Sequence, residues 1–401
     1  MPGPLQGFKI IDLTSMISGP LSTMILADQG ADVIKVENPR GGDFTRGAFN
    51  QRSGLSASFL NNNRNKRSVA LNLKDERGLA VLKRLTVGAD VFVQNFRPGV
   101  AERMGIGEAA IRAVVPSIVY VSISGFGPRG PYAEKPTYDP LVQALSGLTT
   151  IQGGADDQRP RLVRTILPDK LTGVTASQAI TAALLARERS GQGQHVELSM
   201  LDSVVAFLWS SDMASQTFVG EEIPQERAQS FIDLIYETQD DYISVAVQSD
   251  KEWAALSRAL ERPDWLDDPR FTTPSLRQEH IDARLSLTQE VLKTRTAAEW
   301  LTRLDAEDVP CAPVLRRRDV IDHPQLLANE IVTETDHPIA GRLRQARPAA
   351  RFSATPVEHR HGGSLLGQHS QEILRDAGFD EREIETLMAD AVIAQAEERS
   401  A

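Results

Sequence analysis

Residues 8–37 read FKIIDLTSMISGPLSTMILADQGADVIKVE, and they decide the fold. Residues 8–13 are a short apolar run ending at Thr14, as expected of a buried strand. Gly19 and Pro20 make a turn, residues 21–29 read as a helix that Gly30 stops, and residues 31–36 read as a second strand. Strand, helix and strand in so short a span make a βαβ unit, which requires a parallel sheet and a right-handed crossover. In open sheets of this kind ligands bind outside the carboxyl ends of the strands. That rule puts residues 16–19 and 37–46 near any site.

Working outward, strand-like runs recur at 68–73, 89–94 and 117–124, and Asp75 opens a helical pattern, DERGLAVLKRLTVG. Residues 125–130, GFGPRG, formally satisfy GxGxxG. Pro128 and Pro131 interrupt the place where a phosphate-binding helix would start, so the pattern reads as a glycine loop and not a dinucleotide site. Tyr138 and Asp139 precede a short helix, PLVQALSGL.

Residues 162–202, LVRTILPDKLTGVTASQAITAALLARERSGQGQHVELSMLD, hold the candidate chemistry. An apolar strand-like run ends at Leu167 and Pro168, and Asp169 then opens a long helix. Arg187 and Arg189 occupy its last turn, Gly191 ends it, and a strand starts at His195. At a strand-to-helix junction, free backbone N–H groups and the helix dipole favour negative charge. A carboxylate there is either a helix N-cap or a nucleophile with oxyanion donors beside it. The local pattern leaves both readings open.

Further along, residues 202–218 read as an apolar helix and residues 220–229 turn polar. A hairpin is expected at 231–247, followed by the helical segments DKEWAALSRALE, EHIDARLSLTQEVLKT and TAAEWLTRLDAED. Strand-like pieces lie at 331–335 and 349–353. Asp380 and Glu383 have capping-box spacing ahead of a final helix at 382–398. The organisation expected is a large domain in 1–220, a small α+β domain in 221–325, and a C-terminal segment, 326–401, that returns to the large domain.

The formal net charge of -10 in 401 residues argues against a nucleic-acid partner, which needs a basic face. A single cysteine, Cys311, excludes an internal disulfide and fits a reducing compartment. It reads as a structural thiol. All seven histidines fall at or after His195, so acid–base chemistry in the first half must use carboxylate, lysine or tyrosine. His359 and His361 are two ligand types without a third, and no metal site is expected. There is no signal-like N-terminus and no run near the ~18–20 apolar residues of a membrane span. A cytoplasmic protein without a membrane partner is expected.

Several blocks, in order, carry a resemblance. They are residues 10–47 (IIDLTSMISGPLSTMILADQGADVIKVENPRGGDFTRG), 63–74 (NRNKRSVALNLK), 93–105 (VQNFRPGVAERMG), 124–132 (SGFGPRGPY), 168–173 (PDKLTG), 183–203 (ALLARERSGQGQHVELSMLDS) and 300–314 (WLTRLDAEDVPCAPV). Together they resemble the family III CoA-transferases, the CaiB/BaiF family. The resemblance implies an α/β fold: a Rossmann-like large domain with a parallel sheet, a small α+β domain, and an open ring-like chain that forms an interwound homodimer. It implies movement of coenzyme A between an acyl-CoA thioester and a small free carboxylic acid. The CoA thioester is then a substrate, and no cofactor is permanently bound. It implies that Asp169 is the nucleophile, with Asp139 as a second catalytic carboxylate. CoA contacts are implied at Ile17, Ser18, Asn38, Leu71, Lys74, Asn95, Phe96, Arg97, Arg103, Met104 and Tyr138.

Departures from the family pattern bear on the substrate. Ile17 stands where the formyl-CoA-using members have glutamine, and Asn38 where they have arginine, with Arg40 close by. Both point away from formyl-CoA and oxalate. Two other functions share the fold. An α-methylacyl-CoA racemase would, by resemblance, use a histidine just before Asp139. This chain has Tyr138 there, a poor base near neutral pH with a pKa of about 10. A silent CoA-binding protein has no need of a carboxylate at Asp169.

Overall fold

The computed structural model describes residues 3–154, 156–220 and 234–396. The expected boundary beyond Gly220, the first residues of the expected hairpin (231–233) and the tail of the expected final helix (397–398) lie outside the described residues. The chain divides into two compact units, Met1–Arg227 with Glu330–Ala401, and Ala228–Asn329.

The strands of the first unit begin with β1 (Lys9–Asp12) and β2 (Asp32–Glu37). A short hairpin of β3 (Gln51–Arg52) and β4 (Leu55–Ser56) follows, then β5 (Lys66–Leu71), β6 (Val91–Gln94), β7 (Val119–Ser124) and β8 (His195–Ser199). Its helices start with α1 (Ser18–Asp28), α2 (Ala57–Asn63), α3 (Glu76–Thr86), α4 (Val100–Arg103) and α5 (Glu108–Val114). They continue with α6 (Asp139–Leu145), α7 (Leu148–Gly153), α8 (Leu167–Ser190) and α9 (Met200–Trp209).

The second unit is an antiparallel sheet in the order β11-β10-β9, from β9 (Ile235–Glu237), β10 (Tyr242–Val245) and β11 (Cys311–Pro313). It carries α10 (Asp250–Ala259), α11 (Pro274–Glu279), α12 (Ile281–Leu292), α13 (Ala297–Ala306) and α14 (Pro324–Ala328). Capping boxes at Ser249/Glu252 and Thr296/Glu299 start two of these helices. Trp253, Trp265, Phe271 and Trp300 fill the core. Cys311 is half-buried, and burial pushes its thiol up to about 11, which suits an inert side chain.

The chain then adds β12 (Val332–His337), β13 (Gly341–Ala346), α15 (Ser370–Asp376), α16 (Glu381–Ala389) and β14 (Ile393–Ala394) to the first unit. Its central sheet runs β14-β5-β2-β1-β6-β7-β8, all parallel except β14, which pairs antiparallel with β5. Alternate strand residues face opposite layers, as the two-residue period requires. Ile11, Ile34, Val69 and Phe92 pack with α3, α15 and α16. Ile10, Val33, Val91 and Val121 pack with α1 and α8. Both faces are covered, so adjacent apolar residues such as Ile10 and Ile11, Val33 and Ile34, and Val91 and Phe92 are buried on opposite layers.

Five local expectations need correction. Helix α1 starts at Ser18, so Gly19 and Pro20 lie in its first turn and not in a turn ahead of it. No strand precedes Asp169: residues 159–166 are irregular, and the backbone of Val163 and Thr165 bonds to the Gln143 side chain instead of to a neighbouring strand. Helix α9 ends at Trp209, where Ser210, Ser211 and Asp212 lower helix propensity. Residues 349–353 form no strand; β12 pairs with β13 across a tight turn, His337 opposite Gly341. The final helix keeps its Asp380/Glu383 capping box but stops at Ala389. Ala391 takes a left-handed φ of 55°, and the chain turns to bury Val392 and Ile393 against the sheet.

Candidate active site

Strands β1 and β6 are neighbours, yet the chain leaves β1 toward β2 on one side and β6 toward β7 on the other. Their following loops therefore part at this point, which opens a crevice. Asn95, just after β6, bridges the two loops. Ser15 N–H donates to its Oδ1 at 3.0 Å, and its Nδ2 donates to Ser15 O at 2.8 Å.

The loop from Thr14 to Ser18 is held from below by buried charge. Met16 takes φ 71°, a strained conformation for a side-chain-bearing residue, and its N–H donates to Asp43 Oδ1 at 3.2 Å. Lys35 Nζ pairs with Asp43 Oδ2 at 2.9 Å and donates to Thr14 O at 2.8 Å. Gly19 is required here: a Cβ would lie 2.3 Å from that of Thr14. Asp12 receives the Lys66 ammonium at 3.0 Å. Burial opposes the charge on Asp12, but Lys66, Lys35 and hydrogen bonds from Thr14 and Thr23 outweigh it and hold the carboxyl at about 2. Lys66 does not mirror this. Burial comes first and, with Lys35, lowers it to about 8 despite Asp12. With Asp12 at about 2 and Lys66 at about 8, the pair is ionised near neutral pH.

Two cavities adjoin at the crevice and share Ser15 and Phe96. The smaller, of about 210 Å³, brings together Ser18, Asn95, Phe96, Arg97, Tyr138 and Asp169. The larger, of about 370 Å³, collects Asn38, Leu71, Lys74, Phe96 and Met104. Three candidate residues line neither. Ile17 is the N-cap of α1, Arg103 is exposed on α4, and Asp139 is buried at the start of α6.

Asp169 is not the N-cap of α8. Ile166 holds that position, and Asp169 lies in the first turn after Pro168. The N–H and hydroxyl of Ser18, the first residue of α1, lie near its carboxylate and favour its charged form. Helix α8 comes close enough because Gly173 has no side chain: a Cβ there would sit 2.9 Å from Ser18 O. Burial, and then the charge of Asp139, push Asp169 up to about 6 against the Ser18 donors. Burial also raises Asp139, opposed by the Gln143 side chain, the Asp169 N–H and Lys170. Asp139 Oδ2 is buried without a hydrogen-bond partner.

Sequence reasoning missed Ser15, Ser124, Lys135, Thr137 and Met200, which also line the smaller cavity. Ser15 and Ser124 lie at the carboxyl ends of β1 and β7, where the parallel-sheet rule was available to find them. The GxGxxG segment does not open a helix; the next one starts at Asp139. Among the described residues no cluster of His, Cys, Asp and Glu is arranged to hold a metal ion. No helix among them is long and apolar enough to cross a membrane.

The family model for CoA-transferase family III matches residues 5–370. The chain is 34% identical over 402 residues to the succinyl-CoA:glutarate CoA-transferase of Homo sapiens, covering 98% of this chain and 91% of the relative. It is 33% identical over 414 residues to the formyl-CoA:oxalate CoA-transferase of Streptomyces avermitilis, covering 98% and 100%. A crystal structure of a CAIB/BAIF family protein from Brucella suis superposes with a TM-score of 0.81 at 29% identity, covering 94% of this chain and 100% of that one.

Proposed function

The chain belongs to the family III CoA-transferases, and on that premise we propose that Asp169 is the nucleophile on which coenzyme A changes carriers. The observation that carries this reading is a half-buried carboxylate, free of any ion pair among the described residues, at the topological switch point with two donors from the start of α1. At about 6, its pKa leaves it ionised at neutral pH and more basic than an ordinary aspartate.

The Asp169 carboxylate attacks the thioester carbonyl, the C–S bond breaks, and a mixed anhydride and the CoA thiolate result. The thiolate then attacks the Asp169 carbonyl carbon, which releases the first acid and leaves an aspartyl-CoA thioester. An incoming carboxylate reverses the two steps. The Ser18 N–H and hydroxyl can stabilise the oxyanion that forms on Asp169 when the thiolate, or later the incoming carboxylate, attacks its carbonyl carbon; in the attacks on the acyl carbonyl the charge develops on the substrate's own oxygen.

The smaller cavity fits only the acyl and thioester end of the substrate. The nucleotide portion is assigned to the larger one, with Lys74, Leu71 and Met104. Arg97 and Lys135 supply positive charge at the smaller cavity. The relatives named for glutarate and oxalate use acids with two carboxyl groups, and a short dicarboxylic acid is the acceptor class this reading favours. An interwound homodimer belongs to the same reading. It is supported by exposed apolar side chains on α8 (Val174, Leu185) and α9 (Phe207, Trp209). A monodisperse monomer in light scattering at micromolar concentration would remove it.

The test is intact-protein and peptide mass spectrometry after mixing with a panel of short acyl-CoA donors. A covalent CoA adduct on Asp169, discharged by added carboxylic acid, is expected. An adduct on another residue, or turnover without any adduct as in a racemase, overturns the assignment.

A further inference from the structure

Gln143 lies one turn along α6 from Asp139 and is only 1% exposed. Its Nε2 donates to Asp139 Oδ1 at 2.6 Å and reaches Val163 O and Thr165 O, both at 3.3 Å. Its Oε1 accepts the Val163 N–H at 2.9 Å. Residues 163–165 lead directly into α8, and the Leu167 N–H bonds back to Thr165 O at 2.8 Å. One side chain thus fixes both the Asp139 carboxylate and the start of the helix that carries Asp169. A buried amide is tolerated in such a place only when it is fully bonded, and this one is. The neighbouring Asp139 Oδ2 is not.

We infer that Gln143 is a positioning residue: it clamps the Asp139 carboxylate, as its charged form, against the beginning of α8, and so sets the field in which Asp169 works. The inference rests on Asp169 being the nucleophile. Few charged groups face the pair. Asp139 comes from α6, Asp169 and Lys170 from α8, α1 offers only the uncharged donors of Ser18, and Arg97 and Lys135 line the cavity that Asp169 shares with them. Lys170 Nζ is itself bonded to Thr165 Oγ1 at 2.8 Å. The direction of the effect follows. Without the Gln143 donor, Asp139 ionises less readily, its repulsion of Asp169 weakens, and Asp169 titrates at a lower pH.

The experiment compares wild type, Gln143→Met, Asp139→Asn and the double variant, each labelled with 13C at the aspartate carboxyl. Asp169 is assigned by difference from Asp169→Asn. In Gln143→Met the Asp169 midpoint is expected to fall by at least about half a pH unit, and the acidic limb of kcat to move with it. The kcat itself should fall about tenfold or more, with KM for acyl-CoA within about threefold of wild type. In the Asp139→Asn background the second change should add no further shift, because the charge it acts through is gone. An unmoved midpoint in Gln143→Met, or an equal shift in both backgrounds, overturns the inference. If Gln143→Met does not fold, the Gln143 side-chain amide resonances of wild type decide: they follow the Asp139 titration if the clamp exists, and flat resonances overturn it. An Asp169 adduct with unmoved midpoints sinks only the role of Gln143. Normal turnover in Asp169→Asn sinks the nucleophile assignment.

Discussion

Asp12, Glu37 and Asp43 on one side of the crevice, and Asp139 and Asp169 on the other, are carboxylates in low-dielectric surroundings that respond in opposite ways. In the first group every charge is met. Lys66 faces Asp12, Lys35 faces Asp43, and Arg46 grips Glu37 with two bonds of 2.7 Å. Burial raises all three, and the partners more than compensate, so all three titrate low. In the second group no ion pair forms among the described residues. Burial outweighs the Ser18 donors at Asp169 and the Gln143 amide and Lys170 at Asp139, and the charge of Asp139 raises Asp169 further. Met charge holds a shape; unmet charge is held ready for chemistry. The first group fixes the strained Met16 loop, and the second presents a carboxylate to the cavity that this loop borders.

The largest effect is expected at the unmet charge. Asp169→Asn should lower turnover at least about 10³-fold, since an amide oxygen cannot attack a thioester. The same change should stabilise the fold at neutral pH. An aspartate raised from 3.8 to about 6 binds its proton more tightly when folded, so its ionised form works against folding. That penalty is fully present above about pH 6 and vanishes as pH falls below about 4. Urea denaturation at pH 7.5 should show a gain of up to about 3 kcal/mol that is absent at pH 4. A loss of stability at pH 7.5 would place Asp169 with the met charges and break the contrast.

The opposite sign is expected at Lys66. Lys66→Met leaves Asp12 buried without its nearest cation, at a cost of about 3–5 kcal/mol. Asp12 at about 2 lies below its unfolded value, so it contributes stability that is present above about pH 4 and lost as pH falls through about 2. Without Lys66 the acid-unfolding midpoint should move to higher pH. An unchanged midpoint would mean that the donors from Thr14 and Thr23 suffice.

How much of this was legible in the sequence differs between the two groups. The βαβ reading of residues 8–37 placed the crevice correctly, because strand period, the helix stop at Gly30 and the handedness of crossovers are all local rules. Asp169 stood out through its helix start. Its environment did not, because Ser18 is distant in sequence and comes near only through the missing side chain of Gly173. The partner of Asp12 was equally hidden, since Lys66 arrives from β5, two strands away from β1 in the sheet. Gln143 was within reach, four residues after Asp139 on one helical face. Strand β14 was not, because its two residues pair only after the left-handed turn at Ala391.

Cations divide in the same way, with a smaller expected effect. Arg46 is committed to Glu37 and Arg64 to Asp28, both in buried pairs. Arg97 is exposed at the smaller cavity and has no ion pair among the described residues. An arginine left free beside a cavity is available to an anion. Arg97→Ala should raise KM for the CoA ester or its acid partner by about 10–100-fold, corresponding to a charge-assisted contact of about 1.5–3 kcal/mol. The kcat should change less. Unchanged KM values for both substrates would show that an unpaired cation at this crevice carries no ligand.

The smallest effect tests whether being met is enough. Arg262 grips Asp264 through Nε at 3.0 Å and Nη2 at 2.7 Å, the same two-point fork that joins Arg46 to Glu37. The Arg262 bonds hold Asp264 below its ordinary range, as the partners of Glu37 do for that residue. The difference is solvent. The Asp264 side chain is 60% exposed, and that of Glu37 2%. Water competes for both halves of the outer pair, and salt screens it. When Asp264 loses its charge, Arg262 returns to water and still lies over the Trp265 ring at 5.0 Å. When Glu37 loses its charge, Arg46 keeps its bond to Ser364 O but remains buried without a counter-charge. Asp264→Asn should therefore leave the urea midpoint in 0.15 M salt within error of wild type, while Glu37→Gln lowers it. Equal losses from the two substitutions would show that fork geometry, and not burial, decides which charges hold this protein together.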